Sequence, residues 1–192
     1  MKRAVFLDRD GVLIEEPHLL TDAAQIRLFD HSPPAIESLR RAGFYVIVVT
    51  NQTVIARGLA TEEDVSRLHD AIQQLLHTAN GSQIDAFYVC PHHPNATLAN
   101  YRIDCACRKP KPGMLLQAAH DYNIDLYRSY MIGDRITDII AGARAGCKTI
   151  LVEIGAHLEE PIETTEPIDP RIRPDFVCQD LSQAVKVILE AA

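Results

Sequence analysis

The sequence predicts an α/β fold, a doubly wound parallel sheet with helices on both faces. Three observations carry this. Short continuous apolar runs recur along the chain, the pattern of parallel strands covered on both sides. Amphipathic segments of helix length stand between most of these runs. Capping residues and glycine stops mark the borders of the helical segments.

The elements follow in order. "RAVFLD" (3–8) is the first strand. Ser32 is placed to N-cap a helix whose first residues are Pro33 and Pro34 and which stops at Gly43. "FYVIVVT" (44–50) is the second strand. Thr61-Glu62-Glu63-Asp64 has the form of a capping box and opens a helix to about Asn80 and Gly81. "AFYVC" (86–90) and "SYMIGD" (129–134) are the third and fourth strands, with a short helix over 113–121 between them. A helix over 136–145, stopped by Gly146, leads to "TILVEI" (149–154). "PDFVCQ" (174–179) is a shorter final strand, and "LSQAVKVILEA" (181–191) closes the chain as a helix. The Glu/Pro/Thr-rich run 158–174 is a loop.

At 192 residues the chain suits one compact domain, 1–192, able to bury a core without staples. Nineteen basic and 26 acidic residues give a net charge of −7, which argues against nucleic-acid or membrane-surface partners. The start, "MKRAVFL", mimics a signal peptide, but Asp8-Arg9-Asp10 breaks the apolar run early. No segment approaches the roughly 20 apolar residues of a membrane span. A cytoplasmic, monomeric protein is the expectation. Five cysteines, an odd number, argue against a disulfide framework. Cys147 and Cys178 stand in apolar surroundings and read as small core residues.

In open α/β sheets function gathers at the carboxyl ends of the strands. Strand one ends in Asp8-Arg9-Asp10-Gly11, strand two in Thr50-Asn51-Gln52, and strand four in Gly133-Asp134, with Asp138 four residues on. If the chain turns at Gly11, Asp8 and Asp10 both face the crevice, and Asp134 joins them from another strand. Three such acids repel unless a cation joins them, and an all-oxygen set of this kind suits Mg²⁺. A carboxylate can attack phosphorus. A second one can protonate the leaving oxygen and then activate water. The Thr50 hydroxyl and the Lys109 charge can hold a phosphoryl group. Any one of these residues alone passes as ordinary turn or cap chemistry. It is their joint order, each ending an apolar strand, that points to catalysis.

With these residues in place the chain resembles the haloacid-dehalogenase (HAD) superfamily. "FLDRDG" matches its D-x-D-x-G nucleophile motif, and Thr50, Lys109 and "GDRITD" supply the other three motifs in order, over residues 3–150. Within the superfamily, "TNQTVIARG" and "CPHHP…CACRKPKPGM" resemble the D,D-heptose 1,7-bisphosphate 7-phosphatase subgroup, whose zinc loop histidinol-phosphate phosphatases share. The resemblance implies Asp8 as nucleophile, forming an aspartyl phosphate, and Asp10 as general acid/base with its backbone carbonyl on Mg²⁺. It implies Asp134 as the remaining protein ligand to Mg²⁺, Thr50 and Lys109 as phosphoryl stabilisers, and Arg108 in substrate recognition. Arg9, Asn51, Gln52, Thr53 and Arg135 fall at substrate-site positions, and Asp138 in a supporting role, by water or by orienting Lys109. Two departures stand out. Thr53-Val54 replaces the usual Ser-Gly, so a glycine-permitted backbone is not available there. The flap after the nucleophile motif carries Glu16, Pro17, His18 and Leu19 where substrate contacts fall.

Cap domains of this superfamily enter after the nucleophile or after the third strand, and neither stretch here has room for one. The site is therefore expected to be cap-less and open, fit for a phosphorylated sugar. The second stretch holds Cys90, His92, Cys105 and Cys107, a Cys₃His zinc set over 90–107, with C-x-H and C-x-C spacings. His93 is the alternative to His92, and the family pattern favours His92. Four protein ligands leave no open position, so this zinc is structural, and its loop leads directly to Arg108 and Lys109, which it would aim at the phosphates. The resemblance thus implies a Mg²⁺-dependent phosphatase of heptose bisphosphate. Histidinol phosphate or another small phosphomonoester is the alternative substrate, and a non-catalytic sugar-phosphate-binding module the alternative class.

Overall fold

A computed structural model describes residues 1–16, 19–153, 169 and 171–191. Among the described residues six parallel strands form one sheet: β1 (Arg3–Leu7), β2 (Phe44–Asn51), β3 (Ala86–Cys90), β4 (Tyr130–Gly133), β5 (Lys148–Val152) and β6 (Phe176–Cys178). Their spatial order is β3-β2-β1-β4-β5-β6. The helices are α1 (Ser32–Arg41), α2 (Thr53–Ala56), α3 (Glu62–Asn80), α4 (Gly113–Tyr122), α5 (Ile136–Ala145) and α6 (Leu181–Ala191).

The apolar runs have partners on both faces because successive strand residues point opposite ways. Val5 and Leu7 of β1, with Val46 and Val48 of β2, pack with Ile36 and Leu39 of α1, Leu68, Ile72 and Leu76 of α3, and Val185 and Ile188 of α6. Ala4, Phe6, Ile47 and Val49 pack on the other side with Met114, Leu115 and Ala118 of α4 and Ala141 of α5. Burying each of the larger side chains contributes roughly 1.5–3 kcal/mol. Cys147 and Cys178 are buried in these two layers, as small core residues.

The strand order sets the site. From β1 the chain runs through β2 to the β3 edge, then returns to lay β4 against the other side of β1. The direction of winding reverses between β1 and β4, where a ligand crevice opens at the carboxyl ends. There the Asp8 amide donates to the Ile132 carbonyl at 3.0 Å, joining the two strand ends.

Most borders fall where capping chemistry puts them. Thr61 and Asp64 form the capping box of α3, and Gly81 and Gly146 follow α3 and α5 in the left-handed conformation. Ser32 does not act as an N-cap. It is the first helical residue of α1, and its buried hydroxyl donates to the Leu13 carbonyl at 2.8 Å. His31 occupies the cap position without a side-chain capping bond. Pro33 and Pro34 carry no N–H, so the donors a cap would satisfy are largely absent. The Thr53-Val54 exchange also differs from expectation. These residues open the short helix α2, and among the described residues only Asn123 has positive φ outside glycine. No glycine geometry is needed there. Ile154 and most of the 158–174 loop lie outside the described residues.

Residues 91–112, between β3 and α4, hold a single 3-10 turn, Ala99–Tyr101, and no folded cap. After β1 the described residues form a small flap bridged at Asp10–Ile14 and Ile14–Leu28. Among the described residues no helix is long and apolar enough to cross a membrane.

Candidate active site

The chain leaves β1 at Asp8 and turns sharply at Gly11, whose φ of +75° is one that side chains disfavour. A Cβ at Gly11 would also fall on the Asp134 carboxylate. Glycine here lets the nucleophile loop lie directly against the end of β4. Gly133 does the same for α5, since a Cβ there would overlap the Asp138 side chain. The result is that carboxylate oxygens of Asp8, Asp134 and Asp138 all lie within 4.8 Å of one another.

This trio differs from the expected one. Asp138 takes the third place, and the Asp10 carboxylate is turned away toward Arg9 and Gln52. Asp134 is fully buried, and neither of its side-chain oxygens has a hydrogen-bond partner. Burial, then the Asp138 and Asp8 carboxylates, push Asp134 up to about 9. Burial likewise raises Asp138, to about 6, with Lys109 pulling against it. A buried acidic cluster with two orphaned oxygens fits a divalent cation bound by hard oxygen donors.

Lys109 closes the other side of the cluster. Its Nζ lies 3.0 Å from Asp8 Oδ1 and 2.6 Å from Asp138 Oδ1, and donates to the Val49 carbonyl at 2.9 Å. Those three contacts account for all three ammonium protons. Burial opposes the charge, but Asp138 and Asp8 outweigh it and hold the ammonium above its ordinary range. The supporting role expected of Asp138 is therefore a direct contact with Lys109. Asn51, expected to line the substrate site, instead grips Lys109. Its Oδ1 accepts from the Lys109 amide at 3.1 Å and its Nδ2 donates to the Lys109 carbonyl at 3.2 Å.

Asp10 is held by neighbours the sequence had placed at the substrate. Arg9 is 1% exposed, and its Nε and Nη2 each donate to Asp10 at 2.9 Å. Gln52, also buried, accepts from Arg9 at 2.9 Å and donates to Asp10 at 3.0 Å and to the Thr50 hydroxyl at 2.9 Å. Arg9 and Gln52 are thus scaffolding around Asp10. Thr50 keeps its hydroxyl proton to donate, since Gln52 uses only its oxygen as acceptor. His69 of α3, whose Nε2 lies 3.4 Å from Arg9 Nη1, went unrecognised in the sequence. Its only signal there is position, beside Leu68 on the apolar face of an amphipathic helix.

Of the flap residues, Glu16 reaches Arg135 at 2.7 Å across the mouth of the crevice. Leu19 packs instead with Val54, Ile55 and Val65. Pro17 and His18 lie outside the described residues. Thr53 is partly exposed at the first position of α2.

Cys90, His92, Cys105 and Cys107 gather at the end of β3. Their sulfur–sulfur separations are 3.1, 3.2 and 3.5 Å, and His92 Nδ1 lies 3.6 and 3.9 Å from Cys107 and Cys90. A tetrahedron with Zn–S bonds of about 2.3 Å has edges of roughly 3.7 Å, so the cluster is near the size a zinc ion needs. His93 is outside it, and its Nδ1 accepts from the Asn95 amide at 3.0 Å. The loop is tied down by a Leu98 amide bond to the Ala56 carbonyl and a Tyr101 hydroxyl bond to Glu62. Arg108 turns back to the His92 carbonyl at 3.1 Å, while Lys109 enters the acidic cluster. The loop therefore aims one of the two cations into the cluster, not both.

Comparison with known proteins bears on this geometry. A family model described as HAD-hydrolase-like matches residues 106–184. A D-glycero-beta-D-manno-heptose-1,7-bisphosphate 7-phosphatase of Pasteurella multocida is 37% identical over 189 residues, 98% of this chain and 97% of that protein. The chain belongs to the heptose-bisphosphate phosphatase family of HAD-like hydrolases. A relative from Burkholderia mallei, named for the alpha anomer, is 39% identical over 150 residues, 78% of this chain and 79% of that one. The crystal structure of D,D-heptose 1.7-bisphosphate phosphatase from B. bronchiseptica, complexed with magnesium and phosphate, matches with a TM-score of 0.80 and 31% identity over 99% of both chains. Heptose-bisphosphate phosphatases are phosphomonoesterases, which is the chemistry a carboxylate–ammonium–hydroxyl crevice of this kind suits.

The zinc loop of this family member carries a test. Cys105→Ala should leave less than a full equivalent of zinc by elemental analysis. It should raise KM several-fold, because the segment that delivers Lys109 loosens. The sheet's melting temperature should change less than the KM. Unchanged zinc content would remove Cys105 from the ligand set.

Proposed function

We propose that this protein hydrolyses the 7-phosphate of D-glycero-D-manno-heptose 1,7-bisphosphate with Asp8 as nucleophile. The observation that carries this reading is the Asp8 carboxylate, held by buried Lys109 at 3.0 Å and set beside the partnerless Asp134 carboxylate. Asp8 Oδ1 accepts from Lys109 and from the Arg9 amide at 2.7 Å, which orients the group. Asp8 attacks phosphorus, and the P–O bond to the sugar breaks. Asp10 gives the departing oxygen its proton, then takes a proton from the water that hydrolyses the aspartyl phosphate. Thr50 donates to the phosphoryl oxygens as charge builds there, and Lys109 does so by exchanging its Asp8 contact for one of them. Asp8, Asp134 and the Asp10 backbone carbonyl would hold Mg²⁺, with Asp138 beside them. When bound, the ion screens the acids and draws charge from the phosphoryl group. Glu16, Thr53, Arg108 and Arg135 would contact the rest of the substrate, Arg108 and Arg135 as its cations, and the flap residues Pro17, His18 and Leu19 stay in the proposal as sequence-based candidates.

In this reading 1–192 is one domain with the zinc loop 90–107 inside it, a cytoplasmic monomer serving ADP-heptose and lipopolysaccharide-core synthesis. The relatives named above include both anomers, so the sugar's configuration at C1 belongs to the test. Phosphate release is measured with Mg²⁺ for both heptose bisphosphate anomers, histidinol phosphate and fructose 1,6-bisphosphate. One heptose anomer should exceed the other two substrates in kcat/KM by about 100-fold or more. Preference for histidinol phosphate overturns the heptose assignment, and absence of release from every substrate overturns the catalytic one.

A further inference from the structure

We propose that His69 is a positioning residue for the Asp10 carboxylate, acting through Arg9. This rests on the reading of Asp10 as general acid and base.

Asp10 sits on a loop and is partly exposed, with 23% of its side-chain surface accessible. A general acid works only within hydrogen-bond reach of the leaving oxygen, so its carboxylate plane must be fixed. The Arg9 fork fixes it, with Nε on Oδ1 and Nη2 on Oδ2, both at 2.9 Å. The fork is only as rigid as its own surroundings. Gln52 holds one edge of it, through Nη2, and closes a ring of hydrogen bonds back to Asp10. The opposite edge, Nη1, meets His69 Nε2 at 3.4 Å.

An arginine only donates, so Nε2 is the acceptor and the imidazole carries its proton on Nδ1. Burial, then the nearby Arg9 charge, lowers His69 to about 3, which keeps it a neutral acceptor. The ring is 6% exposed and stacks on Phe87, with centroids 4.4 Å apart and planes 12° apart. His69 lies on α3 and Phe87 on β3, so Asp10 is tied through Arg9 to two regular elements.

Two substitutions separate accepting from stacking. His69→Phe keeps an aromatic ring against Phe87 and loses the acceptor. His69→Gln loses the ring and keeps an acceptor. The readout is kcat/KM, which covers steps only through phosphoryl transfer, for heptose bisphosphate and for p-nitrophenyl phosphate. The sugar oxygen needs a proton to leave, and p-nitrophenolate barely does. With Mg²⁺ present, His69→Phe should lose about 10-fold or more on the sugar phosphate and less than about 3-fold on p-nitrophenyl phosphate. His69→Gln should keep most of the wild-type ratio between the two. Circular dichroism and melting confirm folding, and if His69→Phe does not fold, the His69→Gln ratio decides. Equal losses on both substrates, or a His69→Gln variant as selective in its loss as Asp10→Asn, overturn the proposal. Asp10→Asn is the reference: if it shows the selective loss and His69→Phe does not, this inference alone fails. If Asp10→Asn shows none, the reading of Asp10 itself fails.

Discussion

Asp8→Asn is expected to lower phosphate release with Mg²⁺ by about 10⁴-fold or more, because an amide cannot serve as the nucleophile. The fold should survive. Asn is close to Asp in shape, and it relieves repulsion among Asp8, Asp134 and Asp138, whose oxygens lie within 4.8 Å. Lys109 keeps its 2.6 Å contact with Asp138 and its bond to the Val49 carbonyl. The melting temperature should therefore hold or rise while turnover disappears. Retained turnover in a phosphate-release assay would refute the nucleophile assignment.

Lys109→Met should lose both activity and stability. The ammonium is buried and makes three contacts, two of them to carboxylates. Removing it takes away a donor to the transferring phosphoryl group, and a fall in kcat of about 10² to 10³ is expected. It also leaves Asp8 and Asp138 buried without their counter-charge, which costs about 3 to 5 kcal/mol. The contrast with Asp8→Asn is the useful part, since one variant is dead and stable and the other impaired and unstable. Melting curves alongside kcat measurements check it. A Lys109→Met protein as stable as wild type would mean that the lysine does not neutralise the cluster.

The contrast between what was and was not legible has a physical origin. Runs such as "FYVIVVT" could be identified as doubly covered strands because burial on both faces demands apolar residues at successive positions. The ends of those runs placed Asp8, Thr50 and Asp134 at one edge, because parallel strands bring all their carboxyl ends together. Side-chain partners are a different matter. Arg9, Asn51 and Gln52 stand next to the catalytic candidates in the chain, and nothing in a linear string separates a residue facing the substrate from one facing its neighbour. Burial decided it, since a guanidinium that is 1% exposed must satisfy its donors internally. Ser32 was misjudged as a cap for a related reason: its hydroxyl found the Leu13 carbonyl, 19 residues away in sequence. His69 was invisible because its partner, Arg9, lies 60 residues earlier. The clustered cysteines and histidines pointed to a metal loop, the family resemblance favoured His92 over His93, and His92 is the one that lies with the three sulfurs.

The central claim is a covalent phosphate on Asp8. It is tested most directly by mixing wild-type enzyme and Mg²⁺ with heptose bisphosphate labelled in the 7-phosphate, quenching in acid within one turnover, and mapping the label by peptide mass. The account predicts one phosphoryl group on the peptide carrying Asp8, rising before free phosphate and absent in Asp8→Asn. Free phosphate appearing without any labelled peptide, at every quench time, would contradict it.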